Sequence, residues 1–341
     1  MDWLLLVLAL GVILGGAELF TNGVEWVGEA FGLSEGVVGS VLAAIGTALP
    51  ETLLPLIAIL FGAKSGKQIG VGAILGAPFM LSTLAMFVLG ATTLGYSAAG
   101  KRPRRIVADP RVPKLDLTVF LVMFTLAIGA GLVHLRAVRY VLAAALVVGY
   151  GFYVRRHFSR PEGDPVEREA TGVLRPMYLR RIARRSAPAA DPVIWVAVAQ
   201  TLAGLAVIAA GARVFVSAAT SISDRLHVSH LAFALLVAPV ATELPETFNA
   251  GVIWARRGKD TLAVGNITGA LVFQAVFPIA IGLTLTPWRL TSDSLVAALV
   301  ALGAAAFLYG TLLLRNRLSA PLLLFQGVLY AGYVAYVLTR L

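Results

Sequence analysis

Apolar residues fill the chain in long runs, and short clusters of charge separate the runs. Uninterrupted apolar stretches of roughly 18 residues or more read as membrane-spanning helices. The pattern predicts ten spans, at about 2–30, 36–61, 68–92, 116–134, 137–154, 193–220, 230–255, 262–286, 293–313 and 319–339. The first and sixth are long and are expected to tilt. Gly, Pro and Thr interrupt several spans. Such breaks are tolerated where backbone is buried in protein or lines a cavity, not where it faces lipid.

Composition agrees with this pattern. Of 341 residues, 58% are hydrophobic and only 13% are charged, so no soluble domain is visible. The start, "MDWLLLVLAL", lacks the basic region of a secretory signal and is expected to remain as the first helix. There is no cysteine, which excludes a disulfide framework and thiol chemistry. No nucleotide-binding motif or hydrolase triad is present. The expectation is therefore a non-enzyme with no cofactor, no nucleic-acid partner and no obligate protein partner.

The net charge of +10 sits in loops, where it reports orientation. Lys101, Arg102, Arg104, Arg105, Arg111 and Lys114 follow the third span. Arg155, Arg156, Arg160, Arg168, Arg175, Arg180, Arg181, Arg184 and Arg185 follow the fifth. Arg256, Arg257, Lys259, Arg315 and Arg317 fall on the same side. The opposite side holds fewer: Lys64, Lys67, Arg136, Arg139, Arg225, Arg289 and Arg340. The richer side is expected to be cytoplasmic, placing both termini outside a cell membrane.

Shifting the sequence by 195 residues superposes its two halves. "GGAELF" at 15–20 meets "AGARVF" at 210–215, Ser34 meets Ser229, and "T-x-LPET" at 47–52 meets the same pattern at 242–247. After a two-residue gap, "GAILGA" at 72–77 meets "GNITGA" at 265–270. Five spans per half is an odd number, so the second half would insert upside down. Inverted repeats with matching interrupted helices place a site near the midplane. The predicted fold is an all-α polytopic membrane protein of ten transmembrane helices. It comprises a first five-helix repeat (1–157), a basic cytoplasmic linker (158–191) and a second five-helix repeat (192–341).

The repeated "LPE" carries the candidate chemistry. Pro50 has no N–H, so the carbonyl of Gly46 loses its helical donor; Pro245 does the same to Ala241. Thr47 and Glu51 lie one turn apart, as do Thr242 and Glu246, with Glu243 three residues before Glu246. Each kink gathers a carbonyl, a hydroxyl and at least one carboxylate. These hard oxygen ligands suit Ca²⁺, Na⁺ or a proton. An ionised carboxylate at the bilayer centre costs about 2.5–3.5 kcal/mol on insertion scales. No Lys or Arg lies near them in their own spans, so a bound cation or proton is the expected compensation.

These residues resemble the cation/Ca²⁺ exchanger superfamily, typified by sodium/calcium exchangers. Its two alpha repeats each pair a G-T-S-L-P-E-like motif with a G-N-x-x-G-S-N-like motif on the next helix. Here the pairs are "GTALPE" with "GAILGAPFML", and "ATELPE" with "GNITGALVFQ". The resemblance spans nearly the whole chain. It implies that Glu51 and Glu246 bind the transported ions, with Thr47, Thr242, Asn266 and Gln274 close by. The chain departs from the pattern at Ala48, Ala73, Ala77, Leu81 and Ala270, and it adds Glu243. The implied function is a secondary active antiporter exchanging Ca²⁺ for Na⁺ or H⁺, its partners being membrane lipid and the transported cations. The loss of polar positions on the third span favours a lopsided site with proton coupling. A cation channel using the same acidic ring, or a transport-inactive sensor or scaffold, is the alternative.

Other polar residues receive mainly structural readings. Glu18 reads either as a group that tunes access or proton movement or as an internally hydrogen-bonded or paired carboxylate; Ser82, Thr83 and Thr268 read as internally hydrogen-bonded. His227 and His230 read as boundary residues. Gly72, Gly76, Gly265 and Gly269 read as close-packing positions. Trp3, Trp26, Trp195 and Trp288 read as interfacial anchors.

Overall fold

The computed structural model describes residues 1–30, 43–62, 65–103, 105–133, 135–158, 178, 194–243, 247, 251–252, 255–256, 258 and 260–339. Among these the fold is helical, apart from one isolated bridge between Arg105 and Ser319. The helices are α1 (Asp2–Ala30), α2 (Ala43–Phe61), α3 (Gly66–Met80), α4 (Met86–Ala98), α5 (Arg111–Ala130), α6 (Arg136–Phe158), α7 (Ile194–Arg225), α8 (His230–Thr242), α9 (Asp260–Gln274), α10 (Phe277–Leu285), α11 (Ser292–Arg315) and α12 (Ala320–Leu338). A π-helical turn, Leu81–Ala85, joins α3 to α4 in one rod. Among the described residues, eight segments are long and apolar enough to cross a membrane. Shorter apolar helices, Glu51–Phe61 and His230–Val240, occupy the second and seventh predicted spans. The linker falls outside the described residues except for Phe158 and Tyr178.

Helices α1 and α7 pack antiparallel along much of their length. As the position on α1 advances from Asp2 through Ile13, Gly16 and Phe20 to Gly23, its neighbour on α7 retreats from Ser221 through Gly211, Ile208 and Gly204 to Thr201. Small residues allow this closeness, because lipid supplies no hydrophobic drive between helices and packing must do so. A methyl group on Gly16 would lie 2.9 Å from Ile208 Cγ1, and one on Gly211 would lie 2.8 Å from Ile13 Cγ1. Gly16 and Gly211 are 195 residues apart, as are Ile13 and Ile208. The contact is thus reciprocal under the sequence repeat.

The other helices exchange partners in the same way. Helix α5 packs on α9 while α11 packs on α3, and α6 packs on α10 while α12 packs on α4. The rod α3–α4 and the pair α9–α10 therefore lie at the centre. In the apolar stretch of Gly66–Ala98 that would span a membrane 83% of residues are buried, against 17% in that of Arg136–Arg156. Two buried clusters result. One joins α3–α6 with α8–α12. The other joins α1, α2, α3, α7 and α8 through residues such as Leu54, Ala73, Phe215 and Ala238.

Sequence-based packing readings divide. Gly72 and Gly76 let α3 rest on α8, since a methyl at either would run into the carbonyl of Leu231 or Leu235. Pro239 has no amide to give Leu235, so that carbonyl is one freed within α8. Among the described residues Gly265 meets only Val112, at 3.6 Å, and Gly269 meets nothing within 4 Å. Trp3 and Trp195 are exposed, as anchors should be. Trp288 is not an anchor. It is 1% exposed, and its Nε1 donates to the carbonyl of Ala127 at 2.9 Å.

Candidate functional site

Glu51 lies on α2, and the helix runs through Pro50 instead of stopping there. A proline deletes one ladder bond. Buried Leu54, Pro55, Ile57 and Ala58 on the next two turns hold the helix regardless. Glu51 is only 5% exposed. Gly46, Thr47 and Pro50 lie in the same helix, but their side-chain surroundings fall outside the described residues.

Helix α8 reaches the start of the second motif. It ends at Thr242, and Glu243 caps it, donating its amide to the carbonyl of Pro239 at 2.8 Å. The carbonyl of Glu243 in turn accepts from the amide of Thr247 at 2.9 Å. Thr242 and Glu243 are 3% and 1% exposed. Ala241 is the penultimate residue of α8. Pro245 and Glu246 lie outside the described residues.

Gln274 closes α9, and its Nε2 donates to Glu243 Oε1 at 2.7 Å in a buried bond. The helix breaks directly afterwards, at Ala275 and Val276, before α10 opens at Phe277 with Pro278 in its first turn. Pro278 has no amide to offer the carbonyl of Gln274. One residue thus presents a side-chain amide to Glu243 and also has a released backbone carbonyl. Asn266 is half-buried two turns earlier on the same helix, about 12 Å along its axis.

The α9–α10 break corresponds, across the two-residue gap in the repeat, to the π-helical turn at Leu81–Ala85. There Ser82 and Thr83 are fully buried and donate to the carbonyl of Phe79, at 3.2 and 2.5 Å. Both central rods therefore depart from regular helix at matched positions. π-turns occur often at functional positions.

Glu51 and Glu243 flank the same packed region. Leu54, one turn beyond Glu51, and Ala238, just over a turn before Glu243, share a buried cluster with Ala73. A buried carboxylate must be compensated by a cation, a proton or donors. Among the described residues no three His, Cys, Asp or Glu side chains form a metal-holding group. The remaining expected carboxylate, Glu246, is not among them.

Sequence reading missed a third buried acid. Asp116, 1% exposed, accepts from Tyr153 on α6 at 3.0 Å and from Thr268 on α9 at 2.6 Å. It sits at the edge of a predicted span, where an acid passes for a boundary residue. Arg102 and Asp260 form an ion pair in which Nη2 donates to both carboxylate oxygens at 2.8 Å, with side chains 4% and 2% exposed. That pair pins the loop after α4 to the start of α9. Glu18 is exposed and accepts from the Tyr178 hydroxyl at 2.7 Å. His230 pairs with Asp224 at 3.1 Å at the end of the bundle.

The chain matches the family described as sodium/calcium exchanger protein over residues 1–158 and 196–341. It is 26% identical over 332 residues to the CaxA protein of Alkalimonas amylolytica, covering 94% of each chain. It is 25% identical over 285 residues to the inner membrane protein YrbG of Escherichia coli (strain K12), covering 83% of this chain and 79% of that one. Its fold is similar to that of an H⁺/Ca²⁺ exchanger, CAX, with a TM-score of 0.66 at 14% identity, covering 99% of this chain and 87% of that one. It is similar also to the sodium-calcium exchanger NCX_Mj, with a TM-score of 0.55 at 19% identity and 98% of each chain covered.

Proposed function

This chain belongs to the sodium/calcium exchanger protein family, and we propose that it is a secondary active cation antiporter carrying Ca²⁺ against H⁺ or Na⁺. The observation that carries the reading is a pair of buried carboxylates at the two motifs, Glu51 on α2 and Glu243 at the end of α8, the second hydrogen-bonded to Gln274 where the central α9–α10 pair breaks. Glu246 joins them as the counterpart of Glu51. Thr47, Thr242 and the carbonyls of Gly46 and Ala241 complete a hard-oxygen site, with Asn266 and Gln274 contributed by α9. The antiparallel α1 and α7 and the exchanged helix partners support two inverted five-helix repeats, 1–157 and 192–341, joined by a basic linker. The basic loops support a cell-membrane protein with both termini outside.

The mechanism follows from electrostatics. The emptied, fully ionised site is costly in a low-dielectric interior, so the state that reorients is the loaded one. Ca²⁺ and its counter-ion compete for the same oxygens, and occupancy by one excludes the other. Coupling thus needs no covalent chemistry. Protons are favoured over sodium as the counter-ion because α3 offers few sodium ligands. Ala73, Ala77 and Leu81 are buried and apolar where the resemblance implies polar groups. Proton coupling needs only the carboxylates.

The test is uptake of labelled Ca²⁺ into vesicles under imposed H⁺ or Na⁺ gradients. Native protein is expected to couple uptake to an outward H⁺ gradient, and Glu51→Gln or Glu246→Gln to abolish it. Flux that tracks a Na⁺ gradient and ignores pH would overturn the proton assignment. Uncoupled flux would indicate a channel.

A further inference from the structure

Helix α7 carries a polar stripe that the carboxylate site does not use: Arg213, Ser217, Thr220, Ser221 and Asp224, at spacings of one helical face. All five line a cavity of about 670 Å³ between α7 and the last turns of α2, whose wall includes Phe61. The Arg213 guanidinium lies over the Phe61 ring at 5.1 Å. Ser65 and Thr220 hydroxyls meet at 2.9 Å across the same space. Arg213 is twelve residues, about 18 Å, from the end of α7. A charge at that depth must face water or protein rather than lipid. The stripe therefore lines a polar cavity instead of a lipid-facing surface.

Phe61 is ten residues beyond Glu51 on one helix, about 15 Å. We propose that this cavity is the approach to the carboxylates from the Phe61 end, and that Arg213 is its specificity-determining residue, a fixed positive charge that disfavours divalent cations relative to monovalent ones. The proposal rests on the exchanger reading above. Its physics is simple. Repulsion grows in proportion to the charge of the arriving ion, so any affinity factor for a monovalent ion is squared for a divalent one. For a unit charge 15 Å away, effective dielectric constants between 20 and 80 give a factor of about 2 to 6; the divalent factor is about 3 to 40.

The chain has no cysteine, so a single introduced thiol is unique. Arg213→Cys is reconstituted and treated with thiol reagents that are cationic, neutral or anionic. Half-saturation for Ca²⁺ and for the counter-ion is then measured separately from each side of the membrane. From the Phe61 side only, half-saturation should fall from cationic to neutral to anionic adduct, with the logarithmic change for Ca²⁺ twice that for the monovalent ion. Ser217→Cys, one turn away, gives the same charge series should Arg213→Cys fail to assemble. Half-saturation that is independent of adduct charge, or equal factors for both ions, overturns the proposal while leaving exchange intact. Absence of exchange in the unsubstituted protein overturns the exchanger reading, and this proposal with it.

Discussion

Neighbouring glycines on α1 should respond in opposite ways to the same substitution. Gly16 is buried against α7, whereas Gly15 faces outward and a methyl group there meets nothing within 4 Å. At Gly16 the added methyl would lie 2.9 Å from Ile208 Cγ1, from the Ile208 amide nitrogen and from Val207 Cγ1. Carbon atoms prefer about 3.5–4.0 Å, so the helices must separate by more than half an ångström. Overpacking of this kind costs about 1–3 kcal/mol. Replacing glycine by alanine inside a helix returns about 0.5–1 kcal/mol. Gly15→Ala should therefore be neutral or stabilising, and Gly16→Ala should be net destabilising. The gap between them is about 1–3 kcal/mol. Gly211→Ala, the repeat-related change, should match Gly16→Ala. The assay is thermal denaturation in detergent, followed by the monodisperse fraction. Equal midpoints for Gly15→Ala and Gly16→Ala would refute the close antiparallel packing and the reciprocity drawn from it.

Substitutions at three further sites probe the buried polar groups. Removing either Arg102 or Asp260 strands the other partner and should cost about 3–5 kcal/mol, whereas a double apolar replacement should recover most of it; chemical denaturation of the three variants decides. Thr268→Val takes a donor from Asp116 and should cost about 1–3 kcal/mol, while Thr268→Ser should be near neutral in the same assay. Trp288→Phe keeps the buried ring but loses the bond to the Ala127 carbonyl; a loss of about 1 kcal/mol is expected by thermal denaturation, and no loss would contradict that bond.

The helical layout was readable because apolar runs long enough to span a bilayer leave little choice of structure. The sequence repeat has a structural counterpart at Gly16 and Gly211, small residues that let α1 and α7 cross closely and that touch Ile208 and Ile13 reciprocally. Irregularities were read less well. Proline drew attention to Pro50, yet packing of Leu54 and Ile57 carries α2 past it. The first-half irregularity instead lies at Leu81–Ala85, in the rod that contains Pro78, and that turn has no proline of its own. Asp116 was passed over because a boundary position hides burial. Trp288 was misjudged because residue type says nothing about which way a ring turns. The α7 stripe was legible in principle, since five polar residues on one face of an apolar helix exceed what lipid contact allows.

The most direct test of the central claim is cation-dependent stabilisation of the purified protein. A ligand that binds only the folded state adds about 2.7 kcal/mol at a hundredfold excess over its dissociation constant. Ca²⁺ should raise the unfolding midpoint of the native protein, and neither Glu51→Gln nor Glu246→Gln should retain that rise. Equal Ca²⁺ stabilisation in all three proteins would contradict a site built on these carboxylates.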